Sequence, residues 1–375
     1  MTPDAAPRGR RQISAVTIKD VAAASGVSPA TVTRVLNDRA PVRPATQERV
    51  RHAISTLGYR PDSIARALVT RSTNTVGVLV PSSGDSFWGE VVAAIERRAT
   101  EDGFSVLLAN AHGDPKSEVR AIDLFLSRQV DGIIATSTPG TPRDAHAWFP
   151  DGKLPPRPIV RINWDVAFGS KELAAAHRGS VKKLKSSIDQ VVRASMFEEV
   201  IFDDFRGAFE ATRHLLSLGH RRIAFVGLTS LRPSLLRYLG FREALKEMGL
   251  TPWMTVECRG TLDSARAAAI EAMSSATDLP TAIIAYDDIA AIGVIRGLYV
   301  LGLNVPSDVS VVGFDDIEWA DFIEPPLTTM RQPKMDMGRL AMEIVLRHRG
   351  ERSSRKIHPL AGRLIVRSST APPTR

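Results

Sequence analysis

The sequence predicts a small α-helical head followed by an α/β body of two doubly wound parallel-sheet subdomains. Three observations predict it. Between Thr17 and Leu57, short amphipathic helical patterns are joined by tight turns. From about Asn74 the texture changes to short apolar strands alternating with helices, which implies parallel sheets covered on both faces. The alternation breaks off near residue 165 and restarts near residue 203, so there are two such blocks with a cleft between them. At 375 residues the chain is long enough for a head and two subdomains with their own cores.

The head reads as a helix-turn-helix. Ile18, Val21 and Ala22 recur at i, i+3, i+4, one face of a helix. Gly26 supplies a tight backbone position and Val27 an apolar plug in the turn. Ser28 is a good N-cap, and Pro29 suits the first helical position, where its missing N–H costs nothing. Val32, Val35 and Leu36 form the inner face of the second helix. Ala30, Thr31, Thr33, Arg34 and Asn37 form the outer one. A third helix opens at Arg43-Pro44, carries Val50, Ile54 and Leu57 inward, and ends at Gly58. A short helical segment without a core of its own follows, from Tyr59 to Leu68. Small, hydroxyl-bearing, cationic and amide groups on one helix face suit a DNA major groove, although an ordinary α-helical domain fits the two helices taken alone. Charge adds weight to the first reading. Residues 1–75 hold twelve Lys or Arg against five Asp or Glu, net +7 of the chain's +8, and a basic module on a near-neutral body is the footprint of a nucleic-acid binder.

In the body, Val76–Val80 reads as a strand ended by Pro81, then a helix from about Phe87 to Asp102, a strand at Ser105–Ala109, a helix from Pro115 to Arg128 and a strand at Gly132–Ala135. After the interruption come a helix from Gly207 to Leu218, a strand at Arg222–Gly227, a strand at Ala282–Ala285, a helix from Ile289 and a strand at Val309–Phe314. In such folds ligands bind beyond the carboxyl ends of the strands.

Thr17-Ile18-Lys19-Asp20-Val21-Ala22, Ser25-Gly26-Val27-Ser28, Thr31-Val32-Thr33-Arg34-Val35-Leu36-Asn37 and Leu57-Gly58-Tyr59-Arg60-Pro61 resemble the head of the LacI/GalR family of transcriptional regulators. Ser25, Thr33 and Asp62 depart from its pattern, which has Ala, Ser and Asn there. Asp62 places a negative charge close to DNA. In the body, Ile122–Ile134, Gly219–Gly227, Val311–Asp316 and above all Pro325–Pro333 match family segments, so the resemblance spans nearly the whole chain. It implies a periplasmic-binding-protein-like effector domain that closes around a small molecule, a sugar or related metabolite. It implies a repressor that binds a palindromic double-stranded DNA operator as a homodimer. The DNA contacts it implies are Thr17, Ile18, Lys19, Ser28, Pro29, Ala30, Thr31, Thr33, Arg34, Asn37, Tyr59, Ala65 and Leu68, the last a wedge for the minor groove from a hinge that folds on DNA. The implied effector contacts are the aromatic pair Phe87 and Trp88, then Asn163, Trp164, Arg237, Asp287, Asp315 and Gln332. Asp287 also reads as an N-cap, and Gln332 is expected at the third crossing between subdomains. The domain limits follow: a disordered basic tail at 1–15, the head at 16–61, the hinge at 62–73 and the effector domain at 74–370. Within it the first subdomain takes about 74–200 and 333–356, and the second about 201–332 and 357–370.

Other classes fit less well. Gly84-Asp85-Ser86 resembles the nucleophile block of some serine esterases, but no later histidine has an Asp three residues before it, so the base is missing and no enzyme is expected. A transport binding protein would carry a signal peptide, and residues 1–15 have no apolar region. One cysteine, Cys258, allows no intrachain disulfide, which fits the cytoplasm. The eight histidines show no metal spacing, so neither cofactor nor metal is expected, and no run is long enough to cross a membrane. After Ile365 the tail holds no apolar heptad and ends near Pro372-Pro373, so a dimer rather than a tail-mediated tetramer is expected. One stretch departs from the family: about forty residues separate Asn163 from Asp203, an insertion around 170–197 that includes Lys182-Lys183-Leu184-Lys185.

Overall fold

The computed structural model describes residues 16–37, 41–60, 67, 70, 72–136, 148–149, 153–163, 197–228, 232–352 and 354–374. The tail 1–15, Ala65 and Leu68 of the hinge, Trp164 and residues 170–196 of the insertion lie outside the described residues. The chain divides into two units, Met1–Thr73 and Asn74–Arg375.

The head holds α1 (Ile18–Ser25), α2 (Pro29–Asn37) and α3 (Pro44–Leu57). Thr17 starts α1: its backbone N–H and its hydroxyl both donate to the Asp20 carboxylate at 2.7 Å, so the acid at the third helical position reaches back to satisfy the N-cap N–H. That hydrogen bonding holds the Asp20 carboxyl below its ordinary value. Gly26 takes φ +64°, a left-handed cap that a residue with a Cβ enters only at a cost. Val21, Ala22, Val32, Val35, Val50 and Ala53 form the buried core, with Ile18, Val27, Leu36, Ile54, Leu57 and Tyr59 packed against it.

The body has two six-stranded sheets. The first contains β1 (Thr75–Val80), β2 (Ser105–Asn110), β3 (Gly132–Ala135), β4 (Ile159–Ile162), β5 (Glu198–Phe202) and β11 (Ile357–Leu360). Its order is β11-β5-β4-β3-β1-β2, and every pair is parallel. The second contains β6 (Ile223–Gly227), β7 (Met254–Glu257), β8 (Ala282–Ala285), β9 (Ser310–Asp315), β10 (Thr328–Arg331) and β12 (Arg363–Ile365). Its order is β12-β10-β9-β8-β6-β7, parallel except where β12 returns along β10. The helices are α4 (Ser86–Glu101), α5 (Pro115–Ser127), α6 (Asp204–Ser217), α7 (Arg232–Glu247), α8 (Leu262–Ser275), α9 (Asp288–Val300) and α10 (Lys334–Arg347). Their apolar faces pack on fully buried strands such as Val76–Val80 and Ile223–Val226. Gly240 lets α7 lie close on α6, because a Cβ there would collide with the Phe205 carbonyl.

The chain crosses between subdomains after β5, after β10 and after β11. Two expectations need correction. Residues 201–202 and 357–360 belong to the first sheet, since β11 pairs in register with Glu199–Phe202. Gln332 therefore sits at the second crossing, not the third. Pro359, which lacks an N–H, is tolerated in β11 because that strand is at the sheet edge.

Candidate functional site

Ser28 caps α2 as expected. Its Oγ accepts the Thr31 N–H at 3.2 Å and lies 3.0 Å from the Thr31 hydroxyl, while Pro29 fills the first helical position. Thr33 donates its hydroxyl to the Pro29 carbonyl at 3.0 Å. Thr17, Lys19, Ser28, Pro29, Ala30, Thr33 and Arg34 are exposed, and Thr31 is half-buried. Ile18 and Tyr59 are half-buried and packed on the head core, so they brace the outer face as well as border it. The side chain of Asn37 lies outside the described residues. A compact apolar core thus presents one polar, cationic helix face.

A second candidate site lies in the body, at the carboxyl ends of the strands, where ligands bind in such folds. In the first subdomain Asp85 follows β1 and caps α4, accepting the Phe87 N–H at 2.8 Å. Phe87 itself is 6% exposed and belongs to the hydrophobic core, so of the aromatic pair Trp88 is the member left half-buried at the surface. Their rings meet edge to face at 4.9 Å.

In the second subdomain Arg237 is 5% exposed. Its Nε donates to Asp204 Oδ1 at 2.8 Å and its Nη2 lies 3.5 Å from Asp315 Oδ1. Its Nη1 donates to the Tyr286 carbonyl, and the guanidinium lies 3.9 Å from the Phe314 ring centre. Asp315 and Asp316 have φ of +112° and +53°, strained for residues with a Cβ and held only because their surroundings fix them. Gln332 Nε2 donates to Asp315 Oδ1 at 2.5 Å. Lys334 Nζ donates to the carbonyls of Asp316 at 2.5 Å and Asp315 at 3.2 Å, and pairs with Glu90 on α4 at 2.8 Å. Gln332 Oε1 in turn accepts from Asn163 Nδ2 at 3.1 Å, and Asn163 Oδ1 accepts the Phe202 N–H at 2.9 Å.

The structure thus joins Asn163, Gln332, Asp315 and Arg237 in one network across the crossings. Asn163 and Gln332 are almost fully buried and spend polar atoms on each other, which makes them a strap between subdomains. Asp287 caps α9 through the Ala290 N–H at 2.6 Å and is half-buried. Asp85, Asp204, Glu90 and Lys334 were not singled out as site residues from sequence. Asp85 had a detectable signal, an Asp directly before a helical pattern that begins at an aromatic pair. Burial pushes the Asp287 carboxyl up to about 6, the Asp288 carboxyl up to about 7, and Asp85 and Asp315 upward too. Among the described residues no group of His, Cys, Asp and Glu fits a metal ion, and no described helix is long and apolar enough to cross a membrane.

A folded-state value raised above the unfolded one means stability that is complete below the unfolded value and lost as pH rises through the folded one. For Asp287 the window runs from about pH 4 to just above 6. Asp287→Asn keeps a good N-cap and never ionises. It is expected to be more stable than wild type at pH 7.5, on the order of 2 kcal/mol, with the advantage shrinking toward pH 4.5. Urea unfolding at the two pH values checks this; an equal difference at both would show that ionisation of Asp287 costs the fold nothing.

Three family models match the chain: "Bacterial regulatory proteins, lacI family" over residues 17–62, "Periplasmic binding proteins and sugar binding domain of LacI family" over 73–146 and "Periplasmic binding protein-like domain" over 212–370. The HTH-type transcriptional regulator DegA of Bacillus subtilis (strain 168) is 32% identical over 95% of this chain and 98% of its own length. The crystal structure of the lac repressor dimer bound to operator and the anti-inducer ONPF superposes with a TM-score of 0.77 at 25% identity, covering 96% of this chain and 100% of that one. The complex of the transcriptional regulator CelR with cellobiose gives a TM-score of 0.64 at 28% identity, with 94% and 99% covered. With a helix-turn-helix head, two parallel-sheet subdomains and a relative 32% identical over 95% of its length, the chain belongs to the lacI family of bacterial regulatory proteins and is a transcriptional regulator.

Proposed function

We propose that the chain is a cytoplasmic, homodimeric repressor that binds a palindromic operator and responds to a small polyhydroxylated effector, a sugar or related metabolite, held between its subdomains. The observation that carries the DNA reading is the exposed Ala30, Thr33 and Arg34 face of α2, set on a rigid core in a head that holds nearly all of the net positive charge. Two such heads read two half-sites related by the dimer two-fold. Exposed Trp319 at 58%, Phe322 at 76% and Met335 at 41% offer apolar surface for a second copy.

For the effector, the support is chemical. Asp287 lies within electrostatic range of both Asp85 and Asp315, and Trp88, three residues after Asp85, is half-buried. The Arg237 guanidinium is already engaged by Asp204 and Asp315. Carboxylates accept hydroxyl protons, and an aromatic face packs on a sugar ring. Hydrolase chemistry finds no such support: Ser86 is the first residue of α4, with Asp85 spent on its cap. Neither a metal nor a cofactor is part of this reading.

Arg34→Ala is expected to weaken binding to a duplex selected from a random library by about 1–3 kcal/mol. Fluorescence anisotropy at moderate salt reads it. Unchanged affinity would remove α2 from the DNA interface.

A further inference from the structure

Residues 347–356, between α10 and β11, hold Arg347, Arg349, Arg352, Arg355 and Lys356 against a single acid, Glu351. The whole body from residue 74 onward has a net charge of only +1, so a net +4 in ten residues is a concentration, not a background. Where this loop sits gives it meaning. The first sheet is entirely parallel, so all its strand starts lie along one edge and all its strand ends along the other. The effector cleft is at the strand ends. Lys356 immediately precedes β11, which puts the loop at the strand starts. Asn74, the first residue of the body, precedes β1 at the same edge, and its carbonyl accepts the Ser105 N–H at 2.8 Å.

The loop is fastened there. Arg349 Nη2 donates to Asn74 Oδ1 at 2.7 Å, and Arg352 Nη2 to the Leu154 carbonyl at 2.7 Å. Ser354 donates to Glu198 Oε2 at 2.8 Å. Arg347, Arg355 and Lys356 are exposed. The chain that leads to the head leaves the body at Asn74, which Arg349 of the loop binds directly, while Arg355 and Lys356 precede β11, at the same end of the sheet with three strands between it and β1. The tether to the head therefore joins the body at the strand-start end of the first sheet, the end that also carries the loop.

We propose that the 347–356 loop is a second DNA contact, one that takes backbone phosphates without reading sequence. This rests on the reading of the head as DNA-binding. A loop whose Arg349, Arg352 and Ser354 are already hydrogen-bonded to the body has less entropy to lose on meeting phosphates, and each phosphate it neutralises releases condensed counterions.

The test uses the full-length protein and two duplexes, one selected from a random library and one of unrelated sequence. The variant Arg347→Gln/Arg355→Gln/Lys356→Gln is compared with wild type by anisotropy across a salt series. A control variant, Arg213→Gln/Lys246→Gln/Arg296→Gln, removes as much charge from the second subdomain. Each lost phosphate contact lowers the slope of log affinity against log salt by about 0.9. The loop variant is expected to lose about 2 or more in slope, and about tenfold or more in affinity at 100 mM salt. The selected sequence and the thermal midpoint should stay as they were, and the control should match wild type. Wild-type slope and affinity in the loop variant would overturn the proposal, as would equal losses in loop and control variants or an altered selected sequence. A wild-type protein that binds neither duplex in a salt-dependent way would overturn the DNA reading itself, a distinct outcome.

Discussion

Replacing Arg237 with methionine is expected to destabilise the body by about 3–5 kcal/mol, the cost of leaving buried charges without their partner. Methionine fills much of the same volume, so a cavity is not the cause. The cause is Asp204, 2% exposed, and Asp315, both facing the guanidinium, together with a Tyr286 carbonyl that loses its donor. Position alone suggests that Arg237 anchors the effector and can be cut back to alanine with little effect on operator binding. The ion pairs with Asp204 and Asp315 give it a bracing role as well. A side chain that braces α6, α7 and the end of β9 cannot be removed without disturbing the subdomain that carries the cleft. Chemical unfolding of Arg237→Met should show the loss, and Arg237→Lys should restore only part of it, since an ammonium cannot meet three acceptors spread in a plane. A loss under 1 kcal/mol would mean that the carboxylates are relieved by protonation or by solvent.

The contrast between Arg237 as anchor and Arg237 as brace shows what the sequence conveys. The three helices of the head are legible because their signals are local: Ser28 and Pro29 at a helix start, Gly26 and Gly58 at helix ends, and apolar spacing of three and four. The strands Gly132–Ala135 and Ala282–Ala285 were legible because a strand buried on both faces is an apolar run. β11 was not: Ile-His-Pro-Leu has no strand signature, and its place beside β5 is set by Glu198, whose carboxylate takes His358 Nε2 at 2.7 Å and the Ser354 hydroxyl. Those partners lie some 160 residues away in the chain. The same limit governed the cleft. Motif position named Asn163, Arg237, Asp315 and Gln332 as effector contacts, and the structure links their side chains in one network. The motifs could not show that Asn163 and Gln332 bond to each other, or that Phe87 turns into the core while Trp88 stays at the surface. Hydrogen-bond satisfaction across crossings is a property of tertiary packing and leaves no periodic trace.

Asp315→Asn should separate effector sensing from DNA binding more cleanly than any change at Arg237. Asparagine keeps an oxygen for Gln332 Nε2, and it tolerates a positive φ better than most residues, so the strained turn at +112° should survive. What it loses is the charge that makes the carboxylate a strong acceptor for a ligand hydroxyl. A hydrogen bond to a charged group contributes about 1.5–3 kcal/mol, so effector affinity should fall roughly tenfold to a hundredfold. The heads lie in a separate unit, so operator affinity without effector should stay within about threefold of wild type. By linkage, an effector shifts operator binding only through its differential affinity for the two arrangements of the subdomains. At an effector concentration near the wild-type midpoint, the variant should show operator affinity nearly equal with and without ligand, and its response should return only at roughly tenfold to hundredfold higher concentration. The effector is first found by thermal-shift screening of sugars against the wild-type protein, and operator affinity of both proteins is then measured across its concentration range. A variant that responds at wild-type concentrations would place the ligand's hydroxyl acceptor elsewhere in the cleft, with Asp287 and Asp85 the next carboxylates to change. If the response is lost but effector affinity is intact, Asp315 would instead be part of the moving turn, conveying occupancy through Lys334 to Glu90 on α4.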